Sequence, residues 1–207
     1  MLYGLTAARN KRGRMFKKVL AIILLAAAVG CSACTPDLGS SDDTNDATAG
    51  VPWDTCSQNI GDHPCNFTLE DQNGNEFSLY DLYGTPAVID FSVMWCGPCR
   101  AAASEVQEVQ DKYSSYGLTY VTVLIETSTG EDPTPDDCND WATAYGITSA
   151  PVLAGDRSMI DTTSVNGWEI TSWPTFFFIT DDMIIHTKLK GYSASYIETL
   201  TEETVGE

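Results

Sequence analysis

Beyond residue 30 the chain has almost no positive charge. Its 207 residues hold 11 Lys and Arg against 29 Asp and Glu, a net charge of −18. Six of the cations, Arg9, Lys11, Arg12, Arg14, Lys17 and Lys18, lie in residues 1–30, which contain no Asp or Glu. The rest therefore carries 5 cations against 29 carboxylates, or −24. Such a surface repels a phosphate backbone, which excludes nucleic acid as a partner. It keeps a protein soluble and steers basic partners. Long apolar runs are also missing: Val19 to Gly30 is too short to span a bilayer as a helix. Histidine is scarce, with His63 and His186 alone. Neither stands in a recognisable ligand set, so no metal and no other cofactor is expected. There is no internal repeat.

What is present begins with a targeting segment. The basic residues and the apolar run Val19–Gly30 form the n- and h-regions of a signal peptide over 1–30. Met15 is a second candidate start, because Met15-Phe16-Lys17-Lys18 is already a complete n-region. Ala28-Val29-Gly30-Cys31 resembles a bacterial lipoprotein cleavage box, with Ala28 where that pattern usually has Leu. The resemblance implies lipidation of Cys31 and a lipid anchor in the membrane. The alternative is ordinary secretion after cleavage nearby; both readings export the chain. Ser32 follows Cys31, and by resemblance to enterobacterial sorting this favours the outer membrane. Residues 31–55, rich in Ser, Thr, Asp, Ala and Gly, read as a flexible acidic tether. A folded domain is expected over 56–207.

The most informative five residues are Trp95-Cys96-Gly97-Pro98-Cys99. They follow the buried-strand pattern Ala87–Val93 and precede a helix expected over Pro98–Tyr116. Two cysteines at this spacing on a strand-to-helix junction form a reversible dithiol/disulfide couple. Cys96 would sit before the first helical turn, where free N–H groups lower its pKa from ~8.5 towards ~7. Cys99, one turn in, would resolve the mixed disulfide. A zinc site of this spacing needs a second ligand pair, and none stands out.

Around this motif the pattern gives a β-hairpin, Phe67–Leu69 and Glu76–Leu79, turning at Asn73-Gly74, where both positions accept positive φ. A strand is expected at Leu118–Ile125. A helix starts at Thr134-Pro135 and ends at Gly146. Pro151–Leu153 reads as a short strand and 154–172 as irregular. Strands at Phe176–Thr180 and Met183–Leu189 and a helix from Ser193 complete the chain. The order after the hairpin reads β-α-β-α-β-β-α.

These features together resemble thioredoxin, and more closely the TlpA-like thiol-disulfide oxidoreductases of bacterial envelopes. Those belong to the broad alkyl hydroperoxide reductase/thiol-specific antioxidant group. The resemblance covers about 65–203. It rests on the hairpin with Asp81–Pro86, on Ala87–Phe91 with Trp95–Arg100, and on Trp173-Pro174-Thr175. It implies an α/β, thioredoxin-like fold: a central mixed sheet flanked by helices, with an added N-terminal hairpin. It implies a cis Pro174 whose loop, with Trp173 and Thr175, faces the two sulfurs and an extended substrate. Asp90, six residues before Cys96, matches a buried carboxylate that moves protons to and from the resolving thiol. Trp95, Gly97 and Pro98 would touch substrate, or in the case of Trp95 simply pack. Thioredoxin has a helix-kinking proline where Ser104 stands, so a straighter helix is expected. Gly97-Pro98 is thioredoxin's own dipeptide and favours the reducing direction.

Cys56 and Cys65 are expected to close a structural disulfide in an oxidising compartment, free thiols or a second redox pair being the alternatives. Cys138 reads as a buried core thiol. Cys34 is free, pairs between molecules, or pairs with Cys138. The function favoured is thiol-disulfide exchange with envelope protein thiols and disulfides, recharged by a membrane or periplasmic electron donor. The competing classes are a thiol peroxidase, which needs a Thr/Ser-x-x-Cys pocket with an Arg, and a metallochaperone or non-catalytic binding module.

Overall fold

A computed structural model describes residues 50–164 and 167–206. The signal segment, Cys31, Cys34 and the tether up to residue 49 lie outside the described residues.

The hairpin pairs β1 (Thr68–Asp71) with β2 (Glu76–Ser78), Leu69 standing opposite Phe77. Its turn is held by the Asp71 carboxylate, whose Oδ1 accepts the N–H groups of Asn73 and Asn75, both at 2.8 Å. Gly74 alone in this turn takes positive φ, at 74°. Asn73 was expected to share that conformation and does not, because the aspartate side chain organises the turn.

Next comes β3 (Ala87–Ser92), buried at every position. A strand covered on both faces reads as a continuous apolar run, which is why it was visible in the sequence. Ala87, Ile89 and Phe91 face one core, with Cys96, Cys99, Trp168 and Phe177. Val88 faces the other, with Ala102, Val106, Tyr120 and Phe178.

The single helix expected over Pro98–Tyr116 is two: α1 (Gly97–Ala103) and α2 (Val106–Tyr113), followed by a 3-10 turn Ser114–Tyr116. Ser104 has no proline ring, yet the helix breaks there. Its hydroxyl donates to the Ala101 carbonyl at 2.7 Å, and the Glu105 N–H bonds back three residues to Ala102 at 2.9 Å. A serine that competes for its own helix's carbonyls closes the turn early.

The chain continues through β4 (Thr119–Leu124), α3 (Pro135–Tyr145), β5 (Val152–Ala154), β6 (Thr175–Ile179), β7 (Ile185–Lys190) and α4 (Ala194–Val205). Thr134 caps α3 as expected, accepting the Asp137 N–H at 3.3 Å, and Gly146 ends it in the left-handed conformation. The sheet order is β2-β1-β5-β4-β3-β6-β7. It is mixed: β3, β4 and β5 run parallel, while β6 and β7 are antiparallel to their neighbours. The expected element order omitted β5 from the sheet. In fact β5 joins the hairpin to the rest, because it pairs with both β1 and β4. The stretch expected to be irregular holds a 3-10 turn, Arg157–Ile160.

Val51 and Trp53, assigned above to the tether, are partly buried against the core. Trp53 stacks on His63 at 3.9 Å between ring centroids, and its indole donates to the Tyr80 hydroxyl at 3.3 Å. Packed structure thus begins before residue 56. Among the described residues no helix is long and apolar enough to cross a membrane.

Candidate redox site

Cys96 is the N-cap of α1, with extended φ −81° and ψ 122°. Pro98, in the first turn, has no N–H to leave unpaired. The Cys99 N–H donates to Cys96 Sγ at 3.2 Å, and the two sulfurs are joined as a disulfide. Cys96 is 6% exposed and Cys99 fully buried. Only the first sulfur therefore meets a partner. Gly97 and Pro98 are exposed beside it, and Trp95 is 45% exposed.

Asp90 lies on the second-core face of β3, in register with Thr122 of β4 and Phe176 of β6. It is 1% exposed. Ser92 Oγ donates to its Oδ1 at 2.7 Å, while Oδ2 makes no well-formed hydrogen bond. Burial pushes its pKa up to about 7, against the opposing pull of the Ser92 and Tyr120 hydroxyls. A carboxyl of this acidity can take and return a proton near neutrality. Asp90 faces the second core, whereas Cys96 and Cys99 are packed in the first, and its hydrogen bond is to Ser92.

The Trp173–Pro174 peptide bond is cis. Thr175 begins β6, fully buried, and its hydroxyl donates to the Ser172 carbonyl at 2.7 Å. Trp173 packs against the core that contains both sulfurs. The stretch before it is held from β7: Lys188 pairs with Glu169 at 3.2 Å, and Lys190 donates to the Thr171 hydroxyl at 2.7 Å. These two lysines were not among the expected site residues. Nor were Glu126 and Arg157. The Trp95 indole donates to Glu126 Oε2 at 2.7 Å, and Arg157 binds Oε1 of the same carboxylate. The contact between Trp95 and Glu126 spans 31 positions, so no local pattern announces it.

Cys56 and Cys65 are joined as a second disulfide, nine residues apart. The loop they close lies on the outer side of β7. Gly61 N–H donates to the Ile185 carbonyl at 2.8 Å, and Ile185 N–H to the Asp62 carbonyl at 3.0 Å. Replacing both cysteines by serine is expected to lower stability by about 2.5–3 kcal/mol through loop-closure entropy, read by urea unfolding. Unchanged unfolding would show that packing alone fixes this loop. Cys138 is a buried free thiol. Burial, helped by the negative charges of Asp137 and Asp71, pushes its pKa up to about 12, which makes it inert near neutrality. His63 Nδ1 lies 2.8 Å from the Met183 carbonyl, and His186 lies 3.5 Å from Glu203. Among the described residues no three His, Cys, Asp or Glu side chains gather as a metal site.

Comparison with known proteins adds three findings. The AhpC/TSA family model matches residues 60–188. The thiol-disulfide oxidoreductase ResA of Bacillus subtilis (strain 168) is 29% identical over 114 residues, which is 55% of this chain and 58% of that protein. The chain thus spans somewhat over half of that relative. ResA of Bacillus thuringiensis (strain Al Hakam) is 23% identical over 196 residues, 92% of this chain and 99% of its own length. Among solved structures, a putative thiol:disulfide interchange protein DsbE from Chlorobium tepidum superposes with a TM-score of 0.59 at 24% identity. It covers 72% of this chain and 100% of its own. At that identity the likeness speaks for the thioredoxin-like fold.

Proposed function

Since the chain belongs to the AhpC/TSA family, we propose that it is a thiol-disulfide oxidoreductase of the bacterial envelope that reduces protein disulfides through Cys96 and Cys99. One observation carries this reading: a joined cysteine pair at the start of α1, with the Cys96 sulfur accepting a helix N–H and Cys99 buried behind it.

In the reduced enzyme the Cys96 thiolate attacks one sulfur of a partner disulfide. The partner's other sulfur leaves as a thiolate, and a mixed disulfide remains. Asp90 takes the Cys99 proton, through water, and the Cys99 thiolate attacks Cys96 Sγ. The Cys96–Cys99 disulfide forms and the partner's second thiolate departs. The partner has gained two electrons and the enzyme has lost two. A dithiol donor at the membrane or in the periplasm restores them. The cis-Pro loop offers an extended partner the partly buried Trp173, with Trp95, Gly97 and Pro98 on the other side. Thr175, expected to touch substrate, is fully buried and holds the loop through its bond to the Ser172 carbonyl. The ResA and DsbE names of the relatives agree with this substrate class. Cys31 supplies the lipid anchor facing the periplasm, and Ser32 after it favours the outer membrane.

A thiol peroxidase is disfavoured, because Cys96 sits in a paired motif behind Trp95 and not in a Thr/Ser-x-x-Cys pocket. The test is the Cys96/Cys99 reduction potential, by equilibration in glutathione or dithiothreitol buffers. A value near −270 mV, about that of thioredoxin, is expected. A value near −120 mV, about that of a strong oxidant, would reverse the proposed direction. Absence of a reversible two-electron couple would remove the proposal.

A further inference from the structure

Glu126 follows β4 and is only 5% exposed. Its carboxylate receives two side chains, one on each oxygen. The Trp95 indole donates to Oε2 at 2.7 Å, and the Arg157 guanidinium takes Oε1 through Nε and Nη2. The backbone is tied as well: the Glu126 carbonyl accepts the Met94 N–H at 2.9 Å. Arg100 pins the same loop from α1, its guanidinium donating to the carbonyls of Met94 at 3.1 Å and Trp95 at 2.9 Å. A carboxylate gripped by an indole and a forked guanidinium has a fixed direction, which a solvated ion pair does not. Arg157 comes from the 3-10 turn between β5 and β6, whose first residue is set by Asp156 accepting the Ser158 N–H at 2.6 Å.

We propose that Glu126 and Arg157 are positioning residues for the dithiol, which hold the Trp95 indole beside Cys96 and cancel each other's charge at the attacking sulfur. The proposal rests on the reading that Cys96 attacks. Its consequence is a pair of opposite effects. Arg157→Ala leaves the buried carboxylate uncompensated, which disfavours a second negative charge on Cys96. Glu126→Gln keeps an oxygen for the indole but leaves the guanidinium unopposed, which favours the thiolate. A purely structural role would move both variants the same way.

The experiment uses the full chain in its reduced form. Carboxamidomethylation of Cys96 by iodoacetamide is followed against pH, with the modified cysteine identified by peptide mass spectrometry. The pH of half-maximal rate is expected to rise in Arg157→Ala and fall in Glu126→Gln, each changing the rate on the rising limb about threefold. Arg157→Lys keeps the charge and should return the midpoint close to wild type, and it serves if Arg157→Ala does not fold. Midpoints that move together, or that do not move, would overturn the proposal. A wild-type Cys96 with no alkylation midpoint below about 8.5, the value of a free thiol, would remove the reading of Cys96 as nucleophile, and this proposal with it.

Discussion

Cys96→Ser is expected to abolish disulfide reduction, by at least about a thousandfold, while Cys99→Ser stops after one half-reaction. The two sulfurs are adjacent yet unequal. Cys96 retains 6% exposure and accepts a helix N–H, whereas Cys99 has no exposed surface. A partner disulfide meets Cys96 alone. Without that sulfur no mixed disulfide forms, and serine is far too weak an acid to replace it. Without Cys99 the mixed disulfide forms but nothing inside the molecule resolves it. Turnover of a disulfide substrate with dithiothreitol as donor checks the first variant. Non-reducing gels of the second should show slower bands that collapse on reduction. Full activity in Cys96→Ser would exclude the assigned nucleophile, and trapping by Cys96→Ser in place of Cys99→Ser would exchange the two roles.

Asp90→Asn should alter stability and chemistry together. The carboxyl is held up to about 7 from 3.8, chiefly by burial. A group whose pKa is higher folded than unfolded favours the native state fully below the unfolded value. That contribution is lost as pH rises towards the folded pKa. Here the window runs from roughly pH 4 to 7, and the full effect is on the order of 4 kcal/mol. Urea unfolding of the oxidised wild type should therefore show stability falling across this window from the Asp90 contribution. Asp90→Asn cannot ionise, so its stability relative to wild type should climb by a similar amount between pH 4 and pH 8. If Asp90 is the proposed base for Cys99, the same variant should also slow resolution about a hundredfold and prolong the mixed disulfide. If the difference between the two proteins stays constant with pH, Asp90 does not titrate as its burial implies.

Much of this architecture is legible in the sequence, and the reasons differ by element. The β3 strand announced itself because a doubly covered strand must be apolar throughout. The α3 helix carried its own start and stop, Thr134-Pro135 and Gly146. Asp90 stood out as a charge inside an apolar run. What escaped depends on distance along the chain. The three-residue β5 was seen as a strand, but its place in the sheet rests on partners at Glu70, Asp71 and Thr122 to Leu124. The break at Ser104 turned on which carbonyl its hydroxyl chose, and a mid-helix serine does not declare that in advance. Glu126, Arg157, Lys188 and Lys190 carry no local pattern in the sequence that marks them out. Their roles come from contacts 19 to 31 positions away.

The disulfide-closed loop on β7 has a consequence for how many copies can coexist. A sheet ends in strands whose unpaired N–H and C=O groups invite another chain to add on. At one end of this sheet, β2 has three residues, too few for a firm foreign pairing. At the other, Gly61 and Asp62 occupy the outer hydrogen bonds of Ile185, and the strand runs on into Lys188 and Lys190. Both borders are guarded against strand addition, β2 by brevity and β7 by the covalently clipped loop at Ile185 and by lysines further on. Crowded copies are thereby hindered from adding strands to the sheet at either end.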